Sequence, residues 1–229
     1  SVWASITTPA AIHAFWLTIS VTAIAVPLNT VLGILAALVL VRSRFPGRRL
    51  MDAVIDLPFA ISPIVVGLAL ILLYGSSGWF GPALTDLGIQ VIFSFPGIVL
   101  ATIFVTVPFV VREVVPVLRE VGDEQEQAAA TLGARPLVVF RRITLPLIAP
   151  GLLSAAALSF LVSFDELVIT LFLSGPGVST LPFEMFRHLE SRSDPLIAAI
   201  AVLMIGVTLT AVMIVHRTVG LSKSFAGGR

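Results

Sequence analysis

Apolar residues fall into five long blocks separated by polar stretches, and each block is long enough to cross a bilayer. A hydrocarbon core of about 30 Å takes roughly 20 apolar helical residues. Residues 14–41 contain no Asp, Glu, Lys or Arg, and residues 53–73 carry only Asp56, near one end. Residues 87–111, 143–164 and 195–215 are again free of those four types. The fourth block is expected to continue as helix past Asp165 and Glu166 to about Leu173. A membrane barrel would need alternating strands of about ten residues, and no such alternation is present. The pattern predicts an all-α integral membrane bundle of five transmembrane helices, with residues 1–229 forming one transmembrane domain.

Composition agrees. Hydrophobic residues make up 57% of the chain and charged residues 12%, against about half and a quarter in soluble domains. Mean hydropathy is +1.06. There is no cysteine, which excludes disulfides and thiolate metal sites. The net charge of +1 acquires meaning only when the charges are placed.

Their placement sets an orientation, because basic residues gather on the cytoplasmic side. Arg42, Arg44, Arg48 and Arg49 lie between the first and second blocks. Arg112, Arg119, Arg135, Arg141 and Arg142 lie between the third and fourth, and Arg217, Lys223 and Arg229 follow the fifth. These are twelve of fourteen basic residues on one side; only Arg187 and Arg192 lie opposite. The N-terminus is then outside and the C-terminus cytoplasmic. A chain that starts outside at Ser1 without a signal-peptide pattern points to one missing helix upstream.

The polar stretch from about 112 to 146 holds the strongest candidate site. Asp123, Glu124 and Glu126 crowd the start of a predicted helix, where the helix dipole favours negative charge. Ala128 and Ala129 allow a partner surface to approach the backbone. Gly133 reads as a C-terminal breaker, and Pro136 suits the first turn of a following helix. Arg141 and Arg142 mark the membrane surface before Ile143, Leu145 and Pro146 open the fourth span. On the opposite side, Tyr74 to Pro82 is rich in turn formers and aromatics, which reads as an interfacial anchor with a docking surface as the alternative. Ser174 to Asp194 holds a short amphipathic stretch from Pro182 to Leu189, a candidate gate or docking helix.

Acids in apolar helices are costly and face a cavity or a partner. Asp56, near the cytoplasmic end of the second block, reads as interfacial or structural rather than as part of a transport route. Asp165 and Glu166 lie deeper, near the outer end of the fourth. Adjacent helical residues project about 100° apart, so one is expected to face a neighbour while the other lines a pathway. Prolines 27, 58, 63, 96 and 108 interrupt several blocks. No G-x-x-x-x-G-K-[ST] loop occurs, and His13, His188 and His216 are far apart, so neither ATP hydrolysis nor a metal site is expected in this chain.

Glu126-Gln127-Ala128-Ala129, then Gly133, then Ile143-Thr144-Leu145-Pro146 resembles the cytoplasmic coupling loop of type I ABC importer permeases, and the likeness covers essentially residues 1–225. The family has glutamate at the position of Gln127; Glu126 beside it can take that place. The resemblance implies an ATP-coupled importer subunit that is not itself an enzyme. Its expected partners are an ATP-binding subunit, a second permease subunit (a homodimer or heterodimer), an external solute-binding protein and membrane lipid, without nucleic acid. ATP would be bound by the partner, and this chain would hold no cofactor. The implied location is the bacterial inner membrane.

Within that family, residues 1–146 resemble sulfate/thiosulfate permeases through Val26-Pro27-Leu28-Asn29, Arg44-Phe45-Pro46-Gly47-Arg48 and Ile55-Asp56-Leu57-Pro58. Residues 158–221 resemble polyamine (spermidine/putrescine) permeases through Ser163-Phe164-Asp165-Glu166-Leu167 and Ser179-Thr180-Leu181-Pro182. Sulfate is preferred because its likeness covers more of the chain. A polyamine substrate would make Asp165 and Glu166 attracting charges in the pathway. An ATP-independent channel or secondary transporter is the alternative of another class, and it would have no need of such a hairpin.

Overall fold

The computed structural model describes residues 9–175, 177–191, 201–213 and 217, and these are helical almost throughout. In chain order the helices are α1 (Pro9–Arg42), α2 (Arg48–Ala60), α3 (Pro63–Tyr74), α4 (Gly81–Asp86), α5 (Phe95–Val121), α6 (Glu124–Thr131) and α7 (Pro136–Val139). A π-helical turn at Phe140–Thr144 leads into α8 (Leu145–Phe164), followed by α9 (Val168–Leu173), α10 (Leu181–Ser191) and α11 (Ala201–Met213).

The centre of the bundle is α5, packed between α1 and α8. Lipid tails are as apolar as leucine, so close packing and internal hydrogen bonds must hold such helices together. Small residues permit the approach: a Cβ on Gly33 of α1 would overlap the side chain of Val110, and one on Gly151 of α8 would lie 2.6 Å from Val117 Cγ2. Three buried threonines on α1 and α5 bond to their own helices. Thr18 donates to the carbonyl of Ala14 at 2.9 Å, Thr102 to Ile98 at 2.8 Å and Thr106 to Thr102 at 2.7 Å. The fully buried Asn29 bridges the two longest helices by donating to the Thr106 hydroxyl. At the arginine-rich end, Ile34, Ala37 and Leu40 of α1 meet Val110, Val114 and Leu118 of α5 and Ile148 of α8.

The runs Pro9–Arg42, Phe95–Val121 and Pro136–Phe164 are each long and apolar enough to cross a membrane. The second predicted span is not continuous. α2 and α3 meet at an angle of 108°. Ile61 and Ser62 are extended, and Pro63 opens α3. A residue before proline is driven out of the helical region by the proline ring, and Pro63 has no N–H to continue the ladder. Arg112 of α5 holds the bent arm, donating from Nε to Asp56 at 2.7 Å and from Nη2 to Asp52 at 3.1 Å, and pairing Asp56 a second time. Asp56 is thus structural, as expected.

The fourth predicted span is shorter than expected. It ends at Phe164 rather than continuing to Leu173, because Glu166 captures the amide of Ile169 at 3.0 Å and starts a new helix. The break lets α9 turn onto α3, where a Cβ on Gly67 would meet Phe172 at 2.9 Å. Of the fifth predicted span, 201–213 is helical, while 195–200 and 214–215 lie outside the described residues, as do Pro176, Arg192, His216, Lys223 and Arg229. The amphipathic stretch around Pro182 is helical, as α10. Its start is tied to α1: the Leu181 amide donates to Thr18 at 2.8 Å, and His13 lies 2.9 Å from the Gly177 carbonyl.

Candidate functional site

The α6–α7 hairpin stands at the arginine-rich end, joining α5 to α8. Glu124 and Glu126 occupy the first turn of α6, where unpaired amides favour negative charge. The helix ends in a Schellman turn: the Ala134 amide donates to Ala129 at 3.1 Å and the Gly133 amide to Ala130 at 3.0 Å. Gly133 takes φ +81°, the left-handed conformation such a turn requires. Pro136 then opens α7 behind an extended Arg135. The breaker and restarter expected from sequence therefore stand where expected.

Glu126 does not project outward. Its two carboxylate oxygens each accept from Arg42 at 3.1 Å, and Oε1 also accepts from the Thr144 hydroxyl at 2.8 Å. Arg42 in turn donates to the backbone carbonyls of Leu118 and Gly122 at the end of α5. Both side chains of the pair are about four-fifths buried, with exposures of 21% and 20%. A forked guanidinium–carboxylate pair of this kind is among the stronger polar contacts.

The remaining residues of the expected set divide between two locations. Gln127, Ala128 and Gly133 are exposed on the hairpin, and Ala129 is half-buried. Ile143 and Leu145 are half-buried and Pro146 is exposed at the entry to α8, beside the π turn. π turns of this kind are frequent at functional sites. Sequence reasoning missed Arg42, whose partner is 84 residues away, and Thr144. It also missed Leu132 and Leu137, which flank the Gly133 turn and are 89% and 76% exposed. Two leucines flanking the Gly133–Pro136 turn were a signal available in the chain itself.

Asp165 and Glu166 sit at the α8–α9 break. Asp165 is exposed, and Glu166 is half-buried with its carboxylate capping α9. The expectation of two acids on one continuous helix is corrected by that break. Glu166 borders a small cavity lined by hydroxyl-bearing residues, Thr18, Thr102, Ser163, Thr170 and Thr180, and by Val21, Ile98 and Phe164. Among the described residues, no group of three or more His, Cys, Asp or Glu side chains could hold a metal ion.

Residues 29–221 match the family described as the binding-protein-dependent transport system inner membrane component. The chain is 45% identical over 217 residues to the sulfate transport system permease protein CysW of Synechocystis sp., covering 92% of this chain and 79% of that protein. It is 50% identical over 151 residues to CysW of Escherichia coli, covering 66% of this chain and 52% of that protein. It is 39% identical over 210 residues to CysT of Salmonella typhimurium, covering 90% and 76%. Among solved structures, a bacterial ABC transporter that imports alginate superposes with a TM-score of 0.78 at 18% identity, covering 94% of this chain and 82% of that one. The MetNI methionine ABC transporter gives 0.71 at 18% identity, covering 92% and 94%. The match to Synechocystis CysW extends far beyond residue 146, so the polyamine likeness of residues 158–221 finds no support among these relatives.

Proposed function

The chain belongs to the family of binding-protein-dependent transport system inner membrane components, and on that premise we propose that it is the permease subunit of an ABC importer for sulfate. The observation that carries the substrate is the 45% identity to a sulfate permease over 92% of the chain. Sulfate would be delivered by an external solute-binding protein and would cross between this chain and a second permease subunit. The energy would come from a separate ATP-binding subunit, since this chain has no phosphate loop of its own.

The α6–α7 hairpin is the surface we assign to that ATP-binding subunit. Gln127, Ala128, Ala129 and Gly133 offer a low-relief helix, and Leu132 and Leu137 offer exposed apolar anchors beside it. Apolar side chains on a polar protrusion are the kind of contact that dominates binding energy once buried by a partner. This assignment puts the arginine-rich end in the cytoplasm and the Pro9 end of α1 outside, in line with the distribution of basic residues. Labelling of a cysteine at position 130 by an impermeant reagent from outside the cell would overturn that orientation.

Asp165 is exposed, and a carboxylate facing an oxyanion's route can only repel it. Asp165→Asn should therefore leave sulfate uptake within about twofold of wild type, whereas a polycation carrier would lose a charge-assisted contact and about tenfold or more in transit. The deciding experiment is uptake of labelled sulfate and labelled spermidine by the reconstituted complex, with each cognate binding protein supplied. ATP-dependent sulfate uptake is expected. Spermidine uptake dependent on Asp165, with no sulfate uptake, would overturn the assignment.

A further inference from the structure

Helix α6 has no buried residue. Its apolar hold on the bundle is therefore slight, yet it is the element assigned above to meet the ATP-binding subunit. Force applied there reaches the membrane helices chiefly through the polypeptide links at its ends and through polar side chains. One side chain on α6 makes such a connection: Glu126, gripped by Arg42 and Thr144.

The two partners belong to different membrane helices. Arg42 is the last residue of α1, and Thr144 closes the π turn that begins the run into α8. Arg42 also reaches the carbonyls of Leu118 and Gly122, at the end of α5. Terminal helix carbonyls lack partners within the helix and attract a cation, so the guanidinium is well matched to that end. A single guanidinium–carboxylate contact thus gathers α1, α5, α6 and the start of α8. Its planar fork fixes direction as well as distance, which the point charge of a lysine cannot do.

We infer that Arg42 is a positioning residue that transmits movement of the docking hairpin to α1, α5 and α8, through Glu126. This rests on the reading of the hairpin as the docking surface. Arg42 faces the bundle rather than the partner, so its loss should spare docking and damage transmission. Without the pair, the hairpin can move with the ATP-binding subunit while the membrane helices stay behind, and hydrolysis runs without transport.

The test uses the full complex in liposomes, with its ATP-binding subunit and binding protein. Retention of the ATP-binding subunit, ATP hydrolysis and sulfate uptake are measured on the same preparations. In Arg42→Ala the subunit is expected to be retained and to hydrolyse ATP, while uptake per ATP falls about tenfold, the scale of a typical coupling between sites. Exchanging the charges, Arg42→Glu with Glu126→Arg, should recover most of the lost ratio. If Arg42→Ala fails to fold, Arg42→Lys decides, and its ratio should fall below that of wild type.

A wild-type ratio in Arg42→Ala, or in Arg42→Lys where only that variant folds, overturns the inference. So does a loss of uptake that tracks loss of the ATP-binding subunit, which would make Arg42 part of docking. A wild-type chain that retains no ATP-binding subunit would overturn the docking reading itself, and the inference with it.

Discussion

Glu126 and Glu166 are both partly buried glutamates beside an apolar bundle, and the fold uses them in opposite ways. Glu126 meets a guanidinium and a hydroxyl from two other membrane helices, so its charge joins elements. Glu166 meets the amide of Ile169, three residues on, so its charge divides one helix from the next. The carboxylate chemistry is the same; the reach of the partner differs. A local partner offers the backbone an alternative to continuing its helix, whereas a distant one makes a tertiary bond. The contrast is one of reach: Glu126 ties elements distant in sequence, and Glu166 sets the shape of the chain locally.

The comparison breaks if the two glutamates prove equivalent. Glu126→Ala leaves Arg42 largely buried without its carboxylate, and should destabilise the chain by about 2–3 kcal/mol, the range for a charged hydrogen-bonded pair. Thermal unfolding in detergent at constant lipid content measures this, and a shift no larger than that of Glu166→Ala would refute it. Gly133→Val places a β-branched residue at φ +81° in otherwise open space, and should cost about 1–2 kcal/mol through backbone strain alone. Gly133→Asn should cost less, since asparagine tolerates that conformation. Glu166→Ala removes one helix cap and should cost about 1 kcal/mol. Its signature is local: faster hydrogen exchange at the amides of α9 while those of α5 are unchanged. Smallest of all, Leu137→Ser should alter stability by less than about 0.5 kcal/mol, because an exposed leucine contributes little to the fold. Its effect should appear instead as weakened retention of the ATP-binding subunit.

The same contrast explains what was legible in the sequence. The first span was readable because every residue of a long apolar block pushes the same way, and α1 follows; the third block was readable as a helix, but not its bounds, since α5 runs Phe95–Val121 rather than 87–111 and takes 112–121 out of the expected loop. The hairpin was readable because Gly133 and Pro136 act on their immediate neighbours. The break at Glu166 was not, since one glutamate after Asp165 barely changes the hydropathy of a twenty-residue window; Pro63 was readable as an interruption but not as a 108° bend. Asp56 was readable as structural from its depth, but not its pairing with Arg112, which is 56 residues distant. Glu126 was legible as a site residue, although its direction was not: an acid at a helix start is as consistent with an outside partner as with Arg42. Thr144 lay inside the I-x-L-P stretch and went unremarked because hydroxyls in membrane helices usually bond to their own backbone.

The central claim is that the hairpin end of the molecule, not the opposite end, meets the ATP-binding subunit. The chain has no cysteine, so single cysteines can be placed at will. Leu137 on the hairpin and Trp79, 86% exposed in the loop between α3 and α4, provide a matched pair of exposed positions. With a reactive thiol on the assembled ATP-binding subunit, Leu137→Cys should cross-link to it while Trp79→Cys should not. Cross-linking from Trp79→Cys, with none from Leu137→Cys, would contradict the account.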